Sequence, residues 1–219
     1  MKNLALPALA LAASLAVAAP AQAAPTFDYD PGVGGLQGGE VSYADFDTTT
    51  GSPTGSGFLV LGPPNTNQGA EPATGDQGDN YLSVLGGGNA VFTFSDPLSQ
   101  VGMDYGSADA YNTFVVFLAS GGSYSFTGQQ ILNTVPADAN GNQAPGAQNG
   151  RLTFYAGAGD AITGIRLVSS RNSLEIDNIG IISAVPEPGT WAMMLIGFGA
   201  IGFTMRRQRR SQGGLAQLA

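Results

Sequence analysis

The sequence predicts an all-β fold for its central region, and three observations carry that expectation. Between Ala24 and Val185 the apolar residues come in short runs bounded by Gly, Asn, Asp and Pro, the length and punctuation of strands. Several runs alternate: Phe92 and Phe94 fall on one face with Thr93 and Ser95 on the other, and Tyr124 and Phe126 share a face. Apolar residues at helical spacing are nearly absent from the same region, and the 33 glycines of the chain would weaken helices further. The region is about 160 residues long, the size of one domain. About ten short strands, consecutive hairpins and no fixed-period repeat point to a single jelly-roll-like β-sandwich over 24–184.

Residues 24 to about 40, with Asp28-Tyr-Asp30-Pro-Gly and Gln-Gly-Gly-Glu40, read as a turn-rich leader. Strands are expected at Glu40–Asp47 and Gly57–Leu61, followed by a long surface loop, Gly62–Asp79, marked by Pro63-Pro64, Asn65, Asn67 and Gly75. Tyr81–Leu85 and Ala90–Ser95 flank Gly86-Gly87-Gly88-Asn89, which has the composition of a hairpin connection. Asp96-Pro97 ends the second of these strands, because proline cannot donate to a ladder. Leu98–Tyr105 comes next, then the acidic loop Gly106–Ala110. Thr113–Ala119 is apolar without alternation, as a strand covered on both faces should be. Gly121-Gly122 turns it into Ser123–Thr127; after a long Asn/Gly/Gln loop, Pro136–Gly150, the strands Arg151–Ala156, Ala161–Val168 and Ser173–Ser183 complete the set.

The two ends are different in kind. Lys2, the apolar stretch Leu4–Ala18 and the small-x-small triplet Ala21-Gln22-Ala23 have the layout of a signal peptide over 1–23, cut by signal peptidase after Ala23; the well-formed triplet disfavours the alternative of a retained anchor. At the other end Val185-Pro186-Glu187-Pro188-Gly189-Thr190-Trp191-Ala192 precedes an apolar run, Met193–Met205, and then Arg206-Arg207-Gln208-Arg209-Arg210. Pro186 and Pro188 fix φ and lack N–H groups, so this segment should be extended and open to a processing enzyme. Thr190–Met205 carries no charge. At ~1.5 Å per residue it makes a helix of roughly 24 Å, short of a ~30 Å hydrocarbon core by an amount that arginine snorkelling and local thinning can cover. A buried core helix is the alternative for a run of this length. Arg206, Arg207, Arg209 and Arg210 would stop a transmembrane helix on the cytoplasmic side, leaving 211–219 as a disordered cytoplasmic end.

Residues 185–210, with a motif at 186–192, a helix at 190–205 and a basic tail at 206–210, resemble the PEP-CTERM sorting signal in the PEPxxWA variant found in some Gram-negative bacteria. Pro186, Glu187, Pro188, Trp191 and Ala192 carry the resemblance. It implies that an exosortase, an integral-membrane cysteine transpeptidase, recognises the Pro-Glu-Pro region, removes the helix and passes the product to the outer surface or an exopolysaccharide matrix. The chain would be that enzyme's substrate: exported, anchored transiently in the inner membrane, then released to the surface, with a structural or adhesive role in biofilm. The successions at 92–106, 151–154 and 174–179 are similar to passenger domains of certain exosortase-dependent surface proteins, whose sandwich folds are like those of carbohydrate-binding jelly rolls.

Composition narrows the chemistry. With no Cys and no His there is no disulfide, no Ser-His-Asp or Cys-His centre and no thiolate or imidazole metal site, which leaves carboxylate chemistry: glycoside hydrolysis or oxygen-ligand calcium binding. Between Ala24 and Val185 three arginines face fifteen acids, a net charge of −12 that repels phosphate backbones and argues against a nucleic-acid partner. Glu175 and Asp177 stand out, because a spacing of two in a strand projects both from one face, where they repel unless a cation or donors lie between them. They are the candidate ligands for a structural Ca2+, with Glu40, Asp45 or Asp47 as partner; a solvated face near Arg166 or Arg171 is the plainer reading. Asp138-Ala-Asn140-Gly141-Asn142 only loosely resembles half of an EF-hand loop. Among fifteen acids some pair will meet hydrolase spacing by accident, so no catalytic residue is assigned and the domain is expected not to be an enzyme. Calcium-dependent carbohydrate binding is the alternative function, with Tyr81, Tyr105, Tyr111, Tyr124 and Tyr155 as either sugar platforms or core.

Overall fold

A computed structural model describes residues 22–48, 51–135, 143–144, 148–184 and 188–213. The expected Pro136–Gly150 loop falls largely outside these, as do the loose EF-hand match at 138–142, Ala21, Pro186, Glu187 and most of the signal peptide. In chain order the elements are β1 (Thr26–Pro31), β2 (Val41–Ala44), β3 (Thr54–Leu61), β4 (Tyr81–Gly106), β5 (Asn112–Leu118), β6 (Ser123–Thr127), α1 (Gly128–Leu132), β7 (Gly150–Tyr155), β8 (Ile162–Ser169), β9 (Leu174–Ser183) and α2 (Pro188–Gly213).

The all-β class holds, but its centre is one strand of 26 residues where three short ones were expected. β4 stays antiparallel to β3 on both sides of Gly86–Asn89, with Phe58 opposite Val84 and Ser56 opposite Asn89. The glycine run is therefore a bulge and not a hairpin. Glycine is required there because a Cβ on Gly88 would run into the Gly57 carbonyl. Asp96-Pro97 likewise sits in an irregularity between Thr93, opposite Gly164, and Leu98, opposite Ile162, so the missing proline N–H costs no ladder bond.

Because β4 pairs with β3, β7, β8 and β9, the nine strands form one curled, continuously bonded sheet, so the expected sandwich is built by a sheet curling over its own core and not by two separately bonded sheets. Its inner surface carries the core: Leu82, Val84, Phe92, Val101, Met103, Phe114, Val116, Leu152, Ile165, Leu167 and Ile176 are each fully buried. A run of ring contacts, Phe27–Phe126–Phe154–Phe114–Tyr105–Tyr29, crosses it with centroid separations of 5.2, 5.5, 5.6, 5.0 and 6.3 Å.

Two elements escaped the sequence reading. The supposed leader contains β1, an edge strand on β7 whose Phe27 and Tyr29 point to the core while Asp28 and Asp30 point out; Pro31 is tolerated because it ends an edge strand. α1 opens with a reciprocal capping box between Thr127 and Gln130 and buries Ile131 and Leu132 completely, about 1.5–3 kcal/mol for each side chain.

α2 contains the helix expected over 190–205 and continues through the arginines. Its uncharged stretch ends at Arg206, and among the described residues no helix is long and apolar enough to cross a membrane. The expectation of a full transmembrane span is not met by this helix.

Candidate functional site

The period-two spacing does put Glu175 and Asp177 on the same side of β9, opposite Ile176, but loop segments cover that side: each is 2 % exposed. The solvated-face reading is therefore overturned. Arg166 and Arg171 instead lie over rings, 6.0 Å from the Phe117 centroid and 5.9 Å from that of Tyr111. Glu175 accepts hydrogen bonds from the Ala70 N–H (3.3 Å), the Ser107 hydroxyl (2.8 Å) and the Ser173 hydroxyl. Burial holds its carboxyl above the usual range, against the pull of those donors.

Asp177 is served by one neighbour, Asn178, whose N–H and side-chain amide donate at 2.7 and 3.3 Å. Asn178 adopts a left-handed backbone, φ 48°, a conformation asparagine tolerates better than most residues. Burial, then the nearby carboxylates of Asp79, Asp104 and Asp47, push the Asp177 carboxyl up to about 8. Asp47 is thus the early acid that reaches this region, together with Asp79, which the sequence did not single out.

Glu40, the other early acid, has a different role. Arg151 of β7 is 1 % exposed and binds Glu40 at 2.5 Å and Asp104 of β4 at 3.1 Å, with a further bond of 2.7 Å to the Asn178 carbonyl. Asp104 also accepts from the Gly35 N–H and the Asn178 amide, yet burial still raises its carboxyl above the ordinary range. The guanidinium lies over bare backbone: Gly102 and Gly180 are cross-strand partners, and a Cβ on either would strike Glu40 and Arg151. Sequence reasoning passed over this cluster, since Arg151 meets Glu40 and Asp104 across 111 and 47 positions of chain. The signal that could have found it is the pair of glycines inside otherwise apolar strands, a sign of close approach by another group.

Two cavities flank these groups. One of about 490 Å³ is lined by Ser42, Asp45, Asp47, Asp76, Asp79 and Asn178, among others, and the Asp79 Oδ1 within it has no hydrogen-bond partner. The donor set is hard oxygen, as calcium requires. Geometry does not follow chemistry, however: among the described residues no group of three or more acids is arranged to hold a metal ion. Glu175 lies on the other cavity, of about 150 Å³, lined by Thr66, Asn67, Asp109, Tyr111 and Asn172 with it. The Tyr111 hydroxyl donates to the Asn172 carbonyl there at 3.0 Å. Tyr81 and Tyr105 are core residues, whereas Tyr124 and Tyr155 are exposed on strands away from both cavities.

At the C-terminus Pro188 opens α2, where its missing N–H costs nothing, and Trp191 and Ala192 lie in the first turns. Met193, Leu195, Ile196, Phe198, Ile201 and Phe203 are 58–71 % exposed, so apolar side chains surround the helix on every side. Arg206 is exposed beyond them, and Arg207, Arg209 and Arg210 continue the helical backbone.

No curated protein matches the chain. Solved structures align with it weakly, two of them as follows. A Podospora anserina GH26-CBM35 β-(1,4)-mannanase aligns at 19 % identity and TM-score 0.35, over 68 % of this chain and 29 % of that one. A family 11 carbohydrate-binding module of the Clostridium thermocellum cellulosomal cellulase Lic26A-Cel5E aligns at 16 % identity and TM-score 0.27, over 70 % of this chain and 99 % of that one. Scores this low carry neither topology nor ligand over to this chain. Residues 184–210, by contrast, match the PEP-CTERM protein-sorting motif, which implies export and handling by an exosortase.

Proposed function

We propose that this chain is a non-catalytic passenger protein, exported across the inner membrane, cut by signal peptidase after Ala23 and delivered by an exosortase to the cell surface or an exopolysaccharide matrix. The sorting motif at 184–210 carries this reading. The bare apolar collar of α2 supports it, because a helix apolar on all sides is stable only in lipid or inside a protein. Lipid fits the arginines that follow, which remain at the headgroups. Replacing Pro186-Glu187-Pro188 with Ala-Gln-Ala in an exosortase-bearing Gram-negative host is expected to leave the full tail on a membrane-bound product. Wild-type protein recovered outside the cell should have lost at least residues 190–219 by intact mass. Wild-type protein carrying the tail in the medium would end this reading.

A second reading, glycan docking, is favoured by the smaller cavity. Its lining is hydroxyl, amide and carboxyl with one aromatic ring, Tyr111, and it has room for little more than one sugar unit. Binding to a glycan array by the intact protein is expected to fall at least tenfold in Asn67→Ala and Asn172→Ala. Running the array in CaCl2 and in EDTA, with melting temperature alongside, tests the calcium proposal separately. A cation would have to draw the Asp45–Asp47 and Asp76–Asp79 segments together, and equal melting temperatures in the two buffers would remove it.

A further inference from the structure

Both ends of the β domain leave it by the same edge. β1 starts beside the end of β7, with Thr26 opposite Tyr155 and the Ala23 N–H donating to the Ala158 carbonyl at 3.1 Å. Tyr155 also lies opposite Gln100 of β4, and the Ala156 N–H donates to the Ser99 carbonyl at 2.9 Å. β4 in turn holds the end of β9: Gln100 is opposite Ile182, Leu98 is opposite Ser183, and the Ala184 N–H donates to the Pro97 carbonyl at 2.9 Å. The Ser99 hydroxyl reaches the Ile182 and Ser183 carbonyls, at 3.2 Å each.

Entry and exit are therefore separated by the neighbouring strands β1–β7–β4–β9, three spacings or roughly 14 Å. Each neighbouring pair is antiparallel, so the chain comes in through this edge along β1 and returns to it along β9. Only four residue steps separate Ala184 from Pro188, where α2 begins, at most about 14 Å of extended chain. The polar cavity is at the opposite end of the same ladder. Glu175, on its wall, is opposite Gly106, six residues along β4 from Gln100 and roughly 20 Å away.

From this geometry we infer that the edge formed by Ala23–Thr26, Pro97–Ser99, Tyr155–Ala158 and Ile182–Ala184 is the membrane-facing surface of the domain. Once the signal peptide is cut, the passenger is fastened at its C-terminal end and stands on this edge with its polar cavity turned outward. The inference rests on the export reading above and adds an orientation to it. Asp28, Asp96 and Asp160 lie beside the edge and all are acidic, so the C-terminal tether imposes the contact and attraction to anionic headgroups does not. A tether of three residues, 185–187, leaves the domain little freedom to turn over, so the enzyme that cuts the tail must accept a folded domain pressed close to its substrate peptide.

The absence of cysteine makes the test direct. Full-length chains carrying a single Ala158→Cys, Asp96→Cys or Gln68→Cys are labelled with a fluorophore and reconstituted in phosphatidylethanolamine/phosphatidylglycerol vesicles containing headgroup-nitroxide lipid. Strong quenching at positions 158 and 96 with little at 68 is expected. Equal quenching at all three, or the reverse order, overturns the orientation while leaving export intact. A chain that does not float with the vesicles overturns the membrane reading itself. Ala24→Cys with Ala184→Cys should also be joined by a bis-maleimide of about 14 Å span in the folded chain, and failure to join them removes the common edge.

Discussion

Arg151→Met is expected to remove about 3–5 kcal/mol of stability, because it leaves the Glu40 and Asp104 side chains buried without their cation. A domain of this size has about 5–15 kcal/mol in total, so the variant should be largely unfolded at modest urea concentration. Asp104 keeps the Gly35 and Asn178 donors and Glu40 keeps Gln37 and Gln100, which softens the loss without replacing the charge. Gly180→Ala should act on the same cluster from the other side. Its Cβ would lie 2.7 Å from a Glu40 oxygen and 2.9 Å from an Arg151 nitrogen, both held in a packed interior. Gly38→Ala, where the added carbon meets nothing, is the control. Urea midpoints of the three variants measure the ranking: a Gly180→Ala midpoint equal to that of Gly38→Ala would mean the glycine slot holds nothing in place.

The second large effect is a pH dependence opposite to that of most acidic proteins. The Asp177 carboxyl titrates at about 8 in the folded protein against 3.8 in the unfolded one, so between those values the folded state holds the extra proton. Stability must then fall as pH rises from about 4 to about 8, by up to roughly 1.4 kcal/mol per pH unit for one group. Asp104 and Glu175, also raised by burial, steepen the slope. Asp177→Asn keeps an oxygen for the Asn178 N–H and removes the charge. It is expected to match the wild type near pH 4 and to exceed it near pH 8 by on the order of 2–4 kcal/mol. Melting curves at pH 4, 6 and 8 without divalent cation decide the matter, and parallel profiles for the two proteins would exclude Asp177 as the source.

How much of this was legible in the sequence depended on how local the information was. β6 matches the expected strand at both ends and β7, β8 and β9 lie within a residue of theirs, because alternation and flanking turn residues are written into adjacent positions. The sorting motif was legible for the same reason. β4 was not: Gly86–Gly88 and Asp96-Pro97 look like strand ends, and only pairing with partners far along the chain turns them into bulges. β1 was hidden by Asp28, Asp30 and Pro31, residues an edge strand accepts and a central one does not. In the candidate site the shared face of Glu175 and Asp177 was readable, but which way that face points is a tertiary fact. Arg151, Gly102 and Gly180 meet only when β4, β7 and β9 are brought side by side, so no window of sequence contains them together.

One property of the molecule follows from its 26-residue central strand. β4 is hydrogen-bonded to four of the other strands, so no large part of the domain can peel away while the remainder stays intact. Partial opening, the usual entry point for foreign proteases, is thereby made nearly as costly as complete denaturation. A protein discharged into a medium with no chaperones to restore it would gain durability from such all-or-none behaviour.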